Sequence, residues 1–174
     1  MDRRIRKTRE ALHTALMSLV VERGYDAITV EDILVAADVG RSTFYTHFAG
    51  KDALLAFGFE RLRAELAGSV DGSASEPFGF LPALLAHVRR HAGLYRGLLE
   101  GRGNLIVHRQ FRAILDEYVA ADLKRRSTPA ADLALLASFY CGGILAVIEA
   151  WLASSRPASV ERINRLLGDL LAAP

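Results

Sequence analysis

Between Thr29 and Lys51 the chain reads TVEDILVAADVGRSTFYTHFAGK, and its apolar positions fall into two short helical groups separated by a tight turn. Thr29 can cap a helix whose third residue, Asp32, reaches back to it, while Ile28 before the cap and Ile33 inside the helix form a hydrophobic staple. This predicts a helix from about Val30 to Ala37. Asp38-Val39-Gly40 supplies the turn, since Asp tolerates the left-handed backbone and Gly carries no side chain to clash. A second helix opens at Arg41, with Val39 stapled onto Phe44. At about 100° per residue Phe44 and Phe48 share a face that must be buried, Ser42 and Thr46 point the opposite way, and Thr43, Tyr45 and His47 lie on the flanks. A helix this short cannot stand alone in water, so it packs on other elements and leaves a polar face over.

Upstream, Ile5, Leu12, Leu16, Leu19 and Val20 recur at helical spacing and predict a helix from Arg3 to Arg23, stopped by Gly24. Further helices are expected at 51–67, 80–91, 92–100, 103–126, 129–154 and 159–172. Gly101-Arg102-Gly103 interrupts the chain, Pro129 takes a first helical position after Thr128, and Pro157 follows the helix that ends near Ser154. Residues 68–79, GSVDGSASEPFG, are the low-complexity stretch and read as a loop. No segment alternates as a strand. The expected fold class is all-α, about nine helices, with a three-helix head over residues 1–50 and a helical body over 51–174.

Residues 133–148 form a run of 16 without a charge, closed by Asp132 and Glu149. A membrane span needs about 20 apolar residues, so a buried helix is the better reading. Being apolar nearly all round, it must be covered on two sides, by its own body and by a second subunit. Gly142-Gly143 would let another helix approach closely. With the stripe of Val160, Ile163, Leu167, Leu170 and Leu171 on the last helix, two such helices from each of two chains would make a four-helix bundle. The expected interface residues are Ile144, Ile148, Trp151, Ile163, Leu167 and Leu170.

At 174 residues, 51% of them hydrophobic, the chain can bury a real core. The net charge of +2 excludes a polyelectrolyte binder, but the charge is placed: Arg3, Arg4, Arg6, Lys7 and Arg9 crowd the start, offset by Asp2 and Glu10. Beside a helix-turn-helix such a stretch can add phosphate or minor-groove contacts. It is not followed by the hydrophobic stretch of a signal peptide. The single cysteine, Cys141, lies in an apolar run, which excludes a disulfide or thiolate zinc site within one subunit. The polar face of the Arg41 helix carries donors suited to phosphates and base edges, with Arg41 at the end where a recognition helix meets bases.

Thr29-Val30, Ile33, Ala37, Val39, Thr43-Phe44-Tyr45, His47-Phe48, Lys51 and Leu54-Leu55 stand in the order and spacing of the TetR family of bacterial regulators. The resemblance reaches back through Gly24-Tyr25 to the first helix. It implies that Tyr45, His47 and Lys51 hold phosphates, that the helix start at Thr29 does likewise, and that Arg41, Ser42, Thr43 and Thr46 read bases. Asp38 replaces a usual Gly and Gly40 a usual capping Ser, which costs a few tenths of a kcal/mol, roughly, and implies a looser start to the recognition helix. The stretch from Phe139 to Leu167 more weakly resembles a branch of the family that includes activators as well as repressors.

The resemblance also implies a small-molecule effector, unidentified, bound among the middle helices. Candidate lining residues are Phe80, Leu84, His87, Tyr95, His108, Phe111 and Phe139. His87 and His91 stand four apart on a helix, but the intervening Val88-Arg89-Arg90 lacks a Glu and brings two cations, so no metal is expected. Cys141 is flanked by Phe139, Tyr140, Ile144 and Leu145, which argues for burial rather than a nucleophile, and nothing in the sequence supports redox sensing through it. No cofactor and no enzymatic activity are expected. The reading is a cytoplasmic, ligand-responsive homodimeric repressor on a pseudo-palindromic double-stranded DNA operator, with no membrane partner. The alternatives are an activator of the same family and a dimeric helical ligand-binding or scaffold protein that does not bind DNA.

Overall fold

The computed structural model of the chain describes residues 3–69, 77–99 and 101–171. Among these residues it forms nine helices and no strand: α1 (Arg3–Arg23), α2 (Val30–Ala37), α3 (Arg41–His47), α4 (Lys51–Ser69), α5 (Leu81–Arg90), α6 (Ala92–Leu98), α7 (Gly101–Arg125), α8 (Ala130–Ala153) and α9 (Val160–Leu171). The first three match the helices expected from the sequence. Elsewhere the ends move by at most two residues, with α7 starting at Gly101 inside the stretch expected to break the chain. The expected loop at 68–79 falls mostly outside the described residues.

Packing divides the chain into two compact units, residues 1–61 with 93–107, and residues 62–92 with 108–174. This differs from a head that stops at residue 50, because the start of α4 is part of the first unit's core. Leu54, Leu55 and Phe59 are buried. The Phe57 ring stands 5.6 Å from Phe48 and under the Arg9 guanidinium at 4.1 Å.

In the first unit α1 buries Leu12, Ala15, Leu16, Leu19 and Val20. Ile5, expected on the same stripe, is 39% exposed because it lies beyond the end of the core. Gly24 ends α1 at φ +74°, its N–H bonded to the Val20 carbonyl at 3.0 Å, and the left-handed conformation there favours glycine. The start of α7 is capped from 76 residues away: the Asp26 carboxylate accepts the Arg102 N–H at 3.1 Å. Gly101, at φ +64°, makes room for that carboxylate, since a Cβ there would fall 1.8 Å from Asp26 Oδ2.

In the second unit α5 packs on α9. α5 contributes Leu81, Leu84, Leu85 and Val88, and α9 contributes Ile163, Leu167 and Leu171. Buried Asp122 accepts the Phe78 N–H at 3.2 Å and pairs with Arg125 at 2.7 Å, so its charge is compensated.

Helix α8, with an 18-residue stretch of mean hydropathy 1.9, is long and apolar enough to cross a membrane by length and composition alone. One face is buried within the unit, through Cys141, Ile144, Leu145, Ile148, Trp151 and Leu152. The opposite face, Leu135, Phe139, Gly142, Gly143, Ala146 and Ala150, is exposed. The six expected interface residues therefore need correction. Ile144, Ile148, Trp151, Ile163 and Leu167 are buried in their own subunit, and Leu170 alone is exposed. A helix apolar on every side has no sequence signal for which side its own body covers.

Cys141 is fully buried, and burial first, then the neighbouring Asp116 carboxylate, push its thiol up to about 12. Unfolded, the thiol would ionise near 8.5. Between those values the unfolded chain releases a proton that the folded chain keeps, so this group's contribution to stability falls as pH rises above about 8.5. We expect Cys141 to resist alkylation at pH 8 until denaturant is added. Labelling of the native protein at the rate of a free cysteine would refute the burial.

Candidate nucleic-acid interface

The turn between α2 and α3 forms as local chemistry dictates. Thr29 closes a full capping box: its hydroxyl accepts the Asp32 N–H at 3.2 Å, and its own N–H donates to the Asp32 carboxylate at 2.8 Å. These bonds to Thr29 hold Asp32 below the usual carboxylate range. Ile28 and Ile33 are both buried, as a staple requires. Asp38 adopts the left-handed conformation at φ 52°, ψ 50°.

Gly40 caps α3 with no side-chain hydrogen bond, in an extended conformation any residue can take, and a Cβ there would meet nothing within 4 Å. A serine would fit without strain and supply the missing acceptor. Gly40→Ser should therefore raise stability by roughly a few tenths of a kcal/mol in urea melts, and a lower midpoint would contradict the cap geometry.

Helix α3 buries Phe44, and Phe48 behind it is 5% exposed. With those two rings anchored, Arg41, Ser42, Thr43, Tyr45 and Thr46 are all exposed and His47 is half-buried. Tyr45 stands edge-on to Phe44, ring centres 5.3 Å apart, which fixes the direction of its hydroxyl. The Arg41 guanidinium lies 3.2 Å from the Glu31 carboxylate. Exposed pairs of this kind contribute about 0–1 kcal/mol, so DNA can displace Glu31 at little cost.

Lys51, expected from the sequence as a phosphate ligand, also has partners within its own subunit. Its ammonium donates to the Tyr25 carbonyl at 2.9 Å and the Ile28 carbonyl at 2.7 Å, and lies 4.4 Å from the Tyr25 ring centre. Two of its three protons thus tie down the segment that leads into α2. Next to it, the Tyr25 hydroxyl donates to Asp52, and burial followed by that bond raises the Tyr25 phenol well above its ordinary range. Neither role shows in the sequence alone, because the partners are 26 and 27 residues apart.

A groove of about 320 Å³ opens between α1 and α3, with Arg4, Ile5 and Thr8 on one wall and Ser42, Thr43, Thr46 and His47 on the other. Arg4 belongs to the basic stretch at the start of the chain, whereas Thr8 has no role in the sequence reading. Their spacing of four continues the buried stripe of α1, which is the signal that could have placed them beside α3.

The residues suggested for an effector pocket are scattered in their surroundings. Phe80, Leu84, Tyr95 and Phe111 are buried, His108 is exposed and Phe139 is 71% exposed. Tyr95 belongs to the first unit and the other six to the second. The His87 ring nitrogen Nδ1 bonds to Glu65 at 2.8 Å, and Glu65 also takes Arg90 at 2.8 Å. Burial, partly offset by Glu65, lowers His87 below its usual range. Among the described residues no three His, Cys, Asp or Glu side chains are placed to hold a metal ion.

Residues 12–56 match the pattern of bacterial regulatory proteins of the tetR family, and residues 75–173 match that of a transcriptional regulator C-terminal region, more than half of the chain. The chain belongs to the TetR family. Members of that family are DNA-binding transcriptional regulators, and α2 and α3 of this TetR protein lie inside the N-terminal match. Over 67 residues it is 40% identical to the uncharacterized HTH-type transcriptional regulator YxbF of Bacillus subtilis (strain 168), covering 38% of this chain and 18% of that protein. The chain spans between 18% and 24% of the length of the curated relatives it matches. A solved TetR transcriptional regulator from Streptococcus agalactiae 2603V is 27% identical, with 98% of this chain and 96% of that one covered and a TM-score of 0.72. The dihydroxyacetone kinase operon activator DhaS shares the fold, at 22% identity, 94% and 93% coverage and a TM-score of 0.69.

Proposed function

We propose that the protein is a cytoplasmic, homodimeric repressor that reads a pseudo-palindromic operator with two α3 helices in successive major grooves about 34–36 Å apart. The observation that carries this is the exposed row of Arg41, Ser42, Thr43, Tyr45 and Thr46, held rigid from behind by buried Phe44. Arg41, Ser42, Thr43 and Thr46 read bases. Tyr45, His47, the remaining proton of Lys51 and the N-terminus of α2 at Thr29 meet phosphates.

The dimer forms through the outer face of α8, where Leu135 and Phe139 are 75% and 71% exposed, together with Leu166 and Leu170 of α9. At Gly142 and Gly143 a neighbouring helix meets no side chain. A small-molecule effector binding the second unit releases the operator only to the extent that it prefers the DNA-incompetent shape. Activation of transcription is the second reading, favoured by the fold shared with DhaS. A reporter fused to the operator decides between the two by the sign of its response.

Thr46→Ala tests the base-reading assignment. It is expected to change the preferred operator, shifting discrimination at the contacted base pair by about 1–3 kcal/mol in competition binding. Equal loss on operator and random DNA would show that α3 does not read sequence through this residue.

A further inference from the structure

We infer that Glu31 on α2 is a specificity-determining residue, which keeps Arg41 for base edges and withholds it from phosphates. This rests on the base-reading role given to Arg41 above and adds to it a residue of α2 that acts through that side chain.

Arg41 opens α3, and Glu31 lies in the first turn of α2. Across the turn between them, ten residues apart in the chain, Arg41 Nη2 donates to Glu31 Oε2 at 3.2 Å. Among the described residues neither has another charged partner. The positions one turn to either side of Glu31 are Ala27, Ile28, Leu34 and Val35, so no cation on α2 competes for its carboxylate. Both side chains stay open to solvent, Arg41 at 67% and Glu31 at 65%, so the pair stands where α3 would meet DNA.

One bond to Glu31 leaves the rest of the guanidinium fork free. An Nη1 proton and the second Nη2 proton still fit the O6 and N7 acceptors of a guanine with Glu31 in place. A base edge carries no net charge, and the carboxylate tolerates it. A phosphate does carry one. To bind it, Arg41 would either leave Glu31 uncompensated among phosphates or hold two anions against each other. The counterion release that one more cation contributes on DNA of any sequence is therefore cancelled by Glu31. That loss falls on non-specific binding and largely spares a matched sequence, which widens the difference between the two.

The test is the affinity of the full chain for a random-sequence duplex, and for the duplex that the wild type enriches from a random pool, at about 50 and 150 mM salt. Wild type, Glu31→Gln, Arg41→Ala and the double variant are compared, each checked by thermal melting. Glu31→Gln should bind the random duplex about fivefold more tightly at the lower salt, with the slope of log affinity against log salt steeper by about 0.9 for each bound subunit. Its preference for the enriched duplex should fall by about the same factor. In the Arg41→Ala background the same substitution should change random-duplex binding by less than about twofold, since the effect needs both partners. An equal gain with and without Arg41 would reduce the effect to diffuse charge and overturn the inference. Unchanged or weaker binding of the random duplex by Glu31→Gln would also overturn it, leaving the pair a link between two helices. An Arg41→Ala protein that keeps its full preference for the enriched duplex would remove the base-reading role of Arg41, and this inference with it. A wild type that binds no DNA would remove the DNA-binding reading itself.

Discussion

Phe139→Glu is expected to give a folded monomer with at least 100-fold weaker operator binding. Phe139 is 71% exposed on the outer face of α8, so a charge there leaves the subunit core intact. Buried in a symmetric interface, each glutamate would meet its own copy or another apolar group without a counter-ion. Loss of the second recognition helix then removes the effective-concentration gain of a two-headed protein, a factor of roughly 10²–10⁴. Leu167→Glu provides the contrast. Leu167 is 2% exposed within its own subunit, so its charged replacement should lower the unfolding midpoint of the monomer itself. Analytical ultracentrifugation and urea melts on both variants check this. A Phe139→Glu protein that sediments as a dimer would place the interface elsewhere.

Lys51→Met should weaken binding to every DNA sequence and also destabilise the first unit by about 1–3 kcal/mol, since hydrogen bonds to a charged group are lost at a half-exposed site. The Tyr25 carbonyl would keep the Ile28 N–H at 3.2 Å, but the Ile28 carbonyl would lose the ammonium. That carbonyl sits immediately before the Thr29 cap, so the start of α2, and α3 behind it, would loosen. Urea melts and salt-dependent binding on the same preparation separate the two effects. Binding lost with an unchanged melt would assign Lys51 to the DNA alone.

The parts of the fold that were legible in the sequence are those whose causes lie within four residues. The capping box at Thr29 and Asp32, the staple of Ile28 on Ile33, the left-handed Asp38 and the uncapped Gly40 all involve near neighbours, and they locate α2 and the start of α3. Once Phe44 and Phe48 were assigned to the core, the exposed face of α3 followed from helical geometry. What the sequence did not disclose depends on distant partners. Lys51 reaches carbonyls 23 and 26 residues back, and Asp26 caps α7 from 76 residues away. On α8 the obstacle was different. Uniform apolarity leaves its buried and exposed faces indistinguishable in the sequence, and five of the six expected interface residues are covered by their own subunit. On α1 the buried stripe was extended to Ile5 although the core ends a turn earlier, which hid the groove where Arg4 and Thr8 stand.

The most direct measurement is a binding titration of the purified protein on DNA from upstream of its own gene, with random competitor present, at two salt concentrations. Saturable binding that survives the competitor, with two protomers per site, is the result expected of a dimer reading sequence through α3. Binding that random DNA abolishes at both salt concentrations would contradict sequence-specific recognition of that region.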